Sequence, residues 1–277
     1  MNASYLEILL AACVLLLPFL YESSQACRYY LRFIIYYTWV MFFSVCLIPI
    51  MALKAGDVRN FLYAAFCCKP ISSILGLRWI LRGKEHLEVD RACIIVSNHQ
   101  SSIDILGLFD IWQIMDKCTV VAKKELLYAG PFGIAAWLCG LIFIDRVHSH
   151  SARNSVNEAA DIVKRKKTKL WVFPEGTRRN TGEIHSFKKG AFHMAISAQI
   201  PILPIVFTRY YFLDSKQKRF DCGNIIMTTL APISTEGMCV DDIDKLLETT
   251  RNAMIPVFHE TNREVMESIG ISSSTID

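Results

Sequence analysis

The sequence predicts an α/β fold, a mixed sheet flanked by helices, preceded by a membrane element of two apolar helices. Short strand-like runs alternate with helical patterns after about residue 79, and this alternation is typical of a sheet with helices on its faces. Apolar residues make up 52% of the 277 residues, and the excess lies before residue 54. We therefore predict a membrane element at residues 1–56 and an α/β domain at residues 57–277.

The front of the chain contains two apolar runs, Tyr5–Tyr21 and Tyr29–Leu53. At about 1.5 Å per residue, the second run is long enough to cross a hydrocarbon layer of ~30 Å, and the first is marginal. Residues 1–4 carry no basic side chain, which argues against a secretory signal peptide. We predict two retained helices joined by a loop at residues 22–28, either crossing the bilayer as a hairpin or embedded in one leaflet.

Charge and cysteine content indicate a compartment and a class of partner. Basic residues between positions 54 and 84 favour a cytosolic α/β domain by the positive-inside rule, whereas Arg28 and Arg32 favour the opposite orientation more weakly. The ten cysteines form no C-x-x-C pair and are typical of reduced, buried thiols. The net charge of +4, with no basic arm, gives no indication of nucleic-acid binding.

The strand-like runs are short and apolar, and helical patterns separate most of them. The predicted strands are Trp79–Arg82, Cys93–Val96, Cys118–Ala122, Ile142–Ile144, Leu170–Phe173, Pro201–Phe207 and Ile225–Ala231. The predicted helices are Ile103–Met115, Leu126–Leu138, Ser151–Arg165, Gly190–Ala198 and Asp241–Val265. In such sheets sites form at the carboxyl ends of strands, so candidate chemistry is expected just after them.

Three polar clusters follow predicted strands directly. The first is N-H-Q-S-S-I-D at residues 98–104, the second is Asp145-Arg146, and the third is P-E-G-T-R at residues 174–178. A fourth segment, I-P-I-L-P at residues 200–204, is apolar with prolines at its ends. The sheet therefore places three groups of polar side chains where a site is expected.

His99 and Asp104 have two interpretations that are compatible. Ser101 and Asp104 fit a capping box, in which both side chains satisfy backbone donors at a helix start. If a serine caps the helix, His99 lies on the incoming loop and Asp104 in the first turn, so the carboxylate can reach the imidazole. An aspartate at one ring nitrogen leaves the other free to take a proton. The substrate then supplies its own hydroxyl, and no serine or cysteine nucleophile is needed.

The other clusters suit an anionic substrate. Arg178 and Arg146 offer planar guanidinium groups for phosphate oxygens, and Gly176 allows a close approach of the backbone. Lys123 also follows a strand and is a candidate for the same pocket. The alternatives are a surface salt bridge for Arg178, a structural ion pair for Arg146 and a solvent-exposed side chain for Lys123.

The sequences N-H-Q-S-S-I-D, G-L-I-F-I-D-R, F-P-E-G-T-R and I-P-I-L-P, in this order and spacing, resemble the four blocks of the glycerolipid acyltransferases. They are most similar to the animal 1-acylglycerol-3-phosphate (lysophosphatidic acid) acyltransferases. The resemblance runs from about Trp79 to Ile233. It implies an enzyme of phospholipid biosynthesis in the endoplasmic reticulum membrane, with the catalytic domain facing the cytosol.

The resemblance also implies roles for single residues. His99 is expected to be the general base and Asp104 its partner, and Pro201 is expected to shape the acyl-CoA side. The expected phosphate contacts are Glu175, Gly176, Thr177, Arg178, Arg146 and Lys123. The implied reaction transfers the acyl group of acyl-CoA to the sn-2 hydroxyl of lysophosphatidic acid, giving phosphatidic acid. It needs no cofactor beyond the acyl-CoA co-substrate, and no metal.

Three alternatives stay open from the sequence. The first is an acyltransferase whose acceptor is glycerol 3-phosphate or another lysophospholipid. The second is a metal-dependent lipid hydrolase with His99, Asp104 and Glu175 as metal ligands. The third is a non-catalytic, membrane-shaping protein in which the four blocks are structural. Histidine and carboxylate side chains serve both as general bases and as metal ligands, so residue types alone do not distinguish these functions. The arrangement of the side chains in the structure is needed for that.

Overall fold

A mixed sheet of seven strands forms the centre of the computed structural model, which describes residues 7, 16, 18–144 and 163–270. Along the sheet the strands follow the order β1, β9, β6, β2, β5, β3, β4. Their bounds are Leu77–Arg82 for β1, Cys93–Ser97 for β2, Cys118–Lys123 for β3, Ile142–Ile144 for β4, Lys169–Val172 for β5, Ile202–Phe207 for β6 and Gly223–Thr229 for β9. A separate hairpin pairs β7, Leu213–Asp214, with β8, Arg219–Phe220. The predicted mixed α/β sheet is confirmed.

Helices cover both faces of the sheet in the described residues. Their bounds are α1 Gln25–Ala52, α2 Asn60–Cys68, α3 Pro70–Ile74, α4 Glu85–Glu88, α5 Asp104–Met115, α6 Pro131–Leu138, α7 Gly190–Ala198 and α8 Ile243–Ser268. Residues of β2 alternate between two apolar clusters, with Cys93 and Ile95 in the cluster that includes α1, α2, α5 and α6. Ile94 and Val96 belong to the cluster with α7 and α8. This alternation buries every residue of β2.

Strand direction explains where a site can form. Strands β2, β3, β5 and β6 are parallel to their neighbours in the centre of the sheet, and β9 pairs antiparallel with β6. The carboxyl ends of the four parallel strands therefore share one edge. The segments that leave this edge carry His99, Lys123 and the 173–179 loop. Three of the predicted site segments are thus neighbours in space.

The front of the chain differs from the predicted helical hairpin. Residues 18–23 are helical and Ser24 alone interrupts the helix before α1 begins. The loop predicted at residues 22–28 is therefore wrong, because the serine side chain accepts from the backbone N–H of Cys27 and starts α1 there. Most of the first predicted helix lies outside the described residues.

Helix α1 packs on the α/β domain. Its buried residues, among them Tyr36, Val40, Leu47 and Met51, belong to the same apolar cluster as the sheet residues of that face. The core therefore continues across residue 56, the predicted boundary. The remaining surface of α1 is apolar and exposed, including Ile34, Met41, Phe42 and Val45. By length and composition α1 is the helix in the described residues that is long and apolar enough to cross a membrane.

Other segments depart from prediction in their bounds. The predicted helix Leu126–Leu138 is a 3-10 helix at Lys124–Tyr128 followed by α6, because the chain breaks at Gly130 with φ 58° and restarts at Pro131. The segment 57–77 contains both α2 and α3, which are not among the predicted helices. Most of the predicted helix Ser151–Arg165 lies outside the described residues, although residues 163–165 are helical.

Candidate active site

His99 and Asp104 are in contact just beyond the carboxyl end of β2. The distance from His99 Nδ1 to Asp104 Oδ2 is 2.5 Å. The aspartate side chain is 2% exposed and the imidazole 17%. A carboxylate at this nitrogen favours the tautomer with the proton on Nδ1 and leaves Nε2 able to accept one. The pair has the geometry of a base with its orienting acid.

The start of α5 brings the pair together differently from the prediction. Asp104 is the first residue of α5, and its carboxylate accepts from the backbone N–H of Gln100 at 2.9 Å and of Ser101 at 3.0 Å. The acidic half of the capping box is therefore present. The serine side chain also contributes, because Ser101 Oγ accepts from the backbone N–H of Ile103 at 3.4 Å, although Ile103 and not the serine is the N-cap residue of α5. One carboxylate both folds the turn and orients the imidazole.

Two polar side chains next to His99 fix its loop to β6, and no role was predicted for them. Asn98 donates to the carbonyl of Phe207 at 2.9 Å and accepts from the N–H of the same residue at 2.9 Å. Gln100 donates to the carbonyl of Thr208 at 2.8 Å. Side chains alternate along an extended chain, so the residues on either side of His99 point away from it. This alternation past the end of β2 is the signal that identifies them.

Phe173 and Arg178, from the loop that follows β5, contact the imidazole of His99. The phenyl ring stacks on the imidazole with a centroid distance of 4.0 Å and an interplanar angle of 19°. Arg178 Nε donates to His99 Nε2 at 3.4 Å, and acceptance at Nε2 requires that nitrogen to be unprotonated. The imidazole therefore lies between a carboxylate and a guanidinium. The contact with Phe173 was not predicted from the sequence.

A cavity of about 450 Å³ opens beside the pair, and this volume lies in the range of small-molecule sites. Its polar wall contains His99, Lys123, Thr177 and Arg178. The apolar walls include Phe61, Ile105, Leu108, Val120, Phe132 and Leu141. A second, smaller apolar pocket shares Phe61, Phe132 and Leu141 and continues under α1. The site thus combines basic groups with an apolar interior.

Gly176 is needed where the 173–179 loop passes Lys188. Its φ is +71°, and a Cβ at this position would lie 2.8 Å from Lys188 Nζ. The backbone conformation therefore favours glycine, and a Cβ would also displace the end of the lysine side chain. The glycine lines the cavity, so the lysine brings a further positive charge close behind the cavity wall.

Glu175 does not line the cavity, although it was predicted to contact a phosphate. The side chain is 6% exposed, and among the described residues Oε2 has no hydrogen-bond partner. Burial raises the pKa of this carboxyl to about 7, and the nearby backbone N–H of His99 opposes the rise. A phosphate would be repelled by the ionised carboxylate. The position fits support of the His99 loop and not a contact with an anion.

Pro201 lies at the opposite edge of the sheet from the cavity. Its carbonyl accepts from the backbone N–H of Ile94 at 3.0 Å. Ile94 precedes His99 by five residues, which corresponds to about 16 Å of extended chain at ~3.3 Å per residue. The predicted role of Pro201 at the acyl-CoA side is therefore not supported by its place in the fold. Asp145 and Arg146 lie outside the described residues.

The alternative of a metal-dependent hydrolase requires His99, Asp104 and Glu175 as a ligand set. Across residues 18–144 and 163–270, no three histidine, cysteine, aspartate or glutamate side chains are grouped so that they can hold a metal ion. Asp104 Oδ2 is occupied by the imidazole and a backbone N–H. The three side chains do not form a common coordination site.

A protein-family model described as acyltransferase matches residues 78–208. This stretch contains His99, Asp104, Lys123 and Arg178, that is, the polar wall of the cavity. The site and the family model together place the protein among the acyltransferases.

Sequence similarity to named proteins identifies the family within the acyltransferases. The chain is 38% identical to human 1-acyl-sn-glycerol-3-phosphate acyltransferase alpha over 90% of its own length and 88% of the relative's. It is 33% identical to the human beta protein, with 96% of each chain covered. The Saccharomyces cerevisiae enzyme of the same name is 39% identical over 73% of this chain and 66% of its own. The chain belongs to the 1-acyl-sn-glycerol-3-phosphate acyltransferase family.

A solved structure supports the fold independently. The crystal structure of the 1-acyl-sn-glycerophosphate acyltransferase PlsC from Thermotoga maritima superposes with a TM-score of 0.62, covering 84% of this chain and 97% of that one. At 20% sequence identity, the likeness concerns the fold.

Proposed function

We propose that the protein transfers the acyl group of acyl-CoA to the sn-2 hydroxyl of lysophosphatidic acid, giving phosphatidic acid and CoA. The observation that carries this proposal is the contact of His99 with Asp104 at a cavity whose walls are basic on one side and apolar on the other. Relatives named 1-acyl-sn-glycerol-3-phosphate acyltransferases support the choice of acceptor. The proposal includes no cofactor besides the acyl-CoA co-substrate.

In the proposed reaction His99 Nε2 removes the proton of the sn-2 hydroxyl. The oxygen attacks the thioester carbonyl, and the tetrahedral intermediate expels the CoA thiolate as the carbonyl reforms. The imidazolium then returns its proton to the sulfur, so the base is regenerated. Asp104 stabilises the imidazolium between these steps, because its carboxylate is already in contact with Nδ1.

Arg178 and Lys123 are the proposed ligands of the acceptor's phosphate. Both line the cavity beside His99, and the phosphate of lysophosphatidic acid is one carbon away from the carbon that bears the reacting hydroxyl. Arg178 Nε at present donates to His99 Nε2, so the acceptor must replace this contact. A phosphate draws the guanidinium away, and the hydroxyl takes its place at Nε2. Gly176 and Thr177 complete the same wall.

The apolar part of the cavity is the proposed site of hydrocarbon chains. Phe61 and Phe132 belong to both the cavity and the small pocket under α1. The helices α1, α2 and α6 that surround this pocket also expose large apolar side chains. We propose that they are embedded in the endoplasmic reticulum membrane, with the catalytic residues on the cytosolic side. A substrate drawn from the bilayer then has a short path to His99.

The test uses the full chain purified in detergent with radiolabelled acyl-CoA and a panel of acceptors. The panel contains lysophosphatidic acid, glycerol 3-phosphate and lysophosphatidylcholine. We expect phosphatidic acid as the main product, and a loss of kcat of about 10²- to 10⁴-fold in His99→Ala, as for other general bases. Equal use of all acceptors contradicts the substrate assignment. Release of free fatty acid in place of transfer supports a hydrolase.

A further inference from the structure

A second group of basic side chains borders the 176–188 loop without lining the cavity. We call it the outer cationic cluster and define it as Arg179, Lys188 and Arg209, with His185 beside Arg179. Arg179 Nη1 lies 3.3 Å from His185 Nδ1. Arg209 Nη1 lies 3.8 Å from the position that a Cβ at Gly182 would take. Arg178 and Arg179 thus differ in direction, since the first faces the cavity and the second contacts the loop outside it.

The loop that carries the cluster is held in place by side chains of other elements. Asn180 donates to the carbonyls of Tyr210 at 2.9 Å and Leu213 at 2.8 Å, and accepts from the N–H of Tyr210 at 3.1 Å. Arg251 of α8 donates to the carbonyl of Ile184 at 2.8 Å. These bonds tie the 179–185 segment to the segment after β6, which carries Arg209. The segment that carries Arg179 and the segment that carries Arg209 are therefore held next to each other.

Several basic residues in the described part of the chain pair with carboxylates, whereas the members of the outer cationic cluster do not. Lys189 pairs with Asp244 at 2.7 Å, and Lys69, Arg82 and Lys117 also pair with carboxylates. Within residues 18–144 and 163–270, no carboxylate forms an ion pair with Arg179, Lys188 or Arg209. The carboxyl that interacts with Arg179 at longer range is Glu175, which is buried. The cluster therefore presents positive charge to solvent next to the active site.

We infer that the outer cationic cluster binds the nucleotide phosphates of the acyl-CoA donor. The inference rests on the proposed function. Lysophosphatidic acid carries its phosphate next to the reacting hydroxyl, so that phosphate belongs at Arg178 and Lys123 inside the cavity. The donor carries a diphosphate and a 3′-phosphate at the far end of its pantetheine arm, so these charges lie outside the cavity when the thioester reaches His99. Guanidinium groups match phosphate oxygens in geometry and charge.

The experiment compares two donors with the same acyl chain, acyl-CoA and S-acyl-pantetheine, which lacks the nucleotide. The variant is Arg179→Gln/Lys188→Gln/Arg209→Gln in the full chain, which removes the three charges and keeps a polar side chain at each position. We expect kcat/KM for acyl-CoA to fall about 10- to 100-fold, the range for loss of hydrogen bonds to charged groups. The kcat/KM for S-acyl-pantetheine and the KM for lysophosphatidic acid should stay as in the wild type.

Lys189→Gln is the matched control, because Lys189 is adjacent in sequence but paired with Asp244. It should leave the preference for acyl-CoA over S-acyl-pantetheine unchanged. An equal loss with both donors, or a raised KM for lysophosphatidic acid alone, overturns the inference. The second of these results assigns the cluster to the acceptor's phosphate.

A binding measurement separates this inference from the proposed function. Adenosine 3′,5′-bisphosphate is titrated into wild-type protein and the triple variant by calorimetry at low salt, where exposed charges are least screened. We expect binding to the wild type that is weakened at least about tenfold in the variant. Equal binding to both proteins overturns the inference. A third outcome is that binding depends on the cluster but the protein transfers no acyl group. This outcome supports nucleotide-phosphate binding by the cluster and contradicts the proposed function.

Discussion

The imidazole of His99 is positioned by side chains and backbone from separate parts of the sequence. Asp104 holds Nδ1 from the start of α5, and Phe173 stacks on the ring from the loop after β5. The backbone N–H of Arg179 donates to the carbonyl of His99 at 2.8 Å. The ring therefore has little freedom to rotate, and its Nε2 is directed at the basic wall of the cavity. Such preorganisation is what a positioned general base requires.

Asp104→Asn tests the orientation of the imidazole. The amide keeps one oxygen that can accept from the backbone N–H of Ser101, but its NH₂ group replaces the oxygen that accepts from Gln100. We therefore expect the fold to be retained with a lower melting temperature. The amide cannot stabilise an imidazolium, so kcat should fall by about 10²-fold or more, with KM for lysophosphatidic acid nearly unchanged. Asp110→Asn on the same helix is the control, since Asp110 pairs with Lys69 on the surface. A raised KM with normal kcat contradicts the assignment.

Glu175→Gln tests the buried carboxyl beneath the His99 loop. Its pKa is raised from 4.5 to about 7, so the folded state holds a proton that the unfolded state releases. Its contribution to stability is therefore complete below about pH 4.5 and is lost as the pH rises through about 7. We expect the melting temperature of the wild type to fall over this window and that of Glu175→Gln to fall less.

The comparison for Glu175→Gln is Glu183→Gln, an exposed glutamate on the same loop. Identical pH profiles for wild type and Glu175→Gln rule out the raised pKa. Kinetics separate the two roles considered for the residue. A support for the His99 loop predicts a lower kcat with little change in KM, whereas a phosphate contact predicts a change in KM.

Residue types were more predictable from the sequence than the directions of side chains. The first and third polar clusters lie at the edge where parallel strands end, as the strand pattern indicated. The resemblance to the acyltransferase family implied a phosphate contact for Glu175 together with Gly176, Thr177 and Arg178, yet neighbouring residues of a loop face different sides. Pro201 marks the beginning of β6 and not its end, so the rule that sites follow strands excludes it. The direction of a loop residue depends on contacts distant in sequence.

At the scale of elements, α1 contacts the loop that carries His99 through two tyrosines. Tyr36 donates to the carbonyl of Ser102 at 2.9 Å, and the hydroxyl of Tyr37 lies 2.9 Å from Ser102 Oγ. Ser102 is in the turn between His99 and Asp104. The apolar helix therefore contributes directly to the shape of the active-site loop.

Tyr36→Phe tests this contact between α1 and the catalytic loop. The substitution retains the buried ring and leaves the carbonyl of Ser102 without its donor, which costs about 1 kcal/mol. We expect a lower melting temperature and a severalfold lower kcat, because the loop that carries His99 is less well fixed. Tyr63→Phe is the control, since Tyr63 is 51% exposed on α2. Equal kinetics of the two variants contradict a role for α1 in positioning the loop.

The pattern of apolar residues predicted whether a segment is a helix or a strand. The residues at which an element begins and ends depend on local interactions that this pattern does not contain. The predicted strand Cys93–Val96 is observed as Cys93–Ser97, because a fully buried apolar run has few alternatives. The segment 57–77 mixes apolar and polar residues, and it divides into α2 and α3 at Pro70. The buried stripe of α1 is completed by α2 and α6, which the sequence alone does not pair with it.

At the scale of the whole molecule, the cavity and the exposed apolar helices lie on the same side of the sheet. Phe61 of α2 and Phe132 of α6 line the cavity, and both helices belong to the layer that contains α1. These helices expose further large apolar residues, including Phe42, Phe66, Ile134 and Trp137. Soluble monomers rarely leave so much apolar surface exposed. In the membrane-embedded arrangement that we propose, hydrocarbon chains of the bilayer reach the apolar entrance of the site.

Ile134→Glu/Trp137→Glu tests the proposed membrane face outside α1. Ile134 and Trp137 are 50% and 55% exposed on α6, so charged side chains can be accommodated there without disturbing the core. A charged group costs about 2 kcal/mol or more on entering hydrocarbon. We expect reduced co-flotation with phosphatidylcholine vesicles and a higher KM for vesicle-borne lysophosphatidic acid. With substrate in detergent micelles, kcat should remain close to that of the wild type.

The control for the membrane face is the single substitution Val240→Glu, which places a charge at a residue that is 66% exposed. Val240 begins the 3-10 helix that precedes α8, and α8 packs on the opposite face of the sheet from α1. It should affect neither flotation nor KM. If Val240→Glu weakens flotation as much as the α6 variant, then net charge and not a defined face governs binding. If neither variant weakens it, α6 lies outside the bilayer and α1 alone carries the membrane contact.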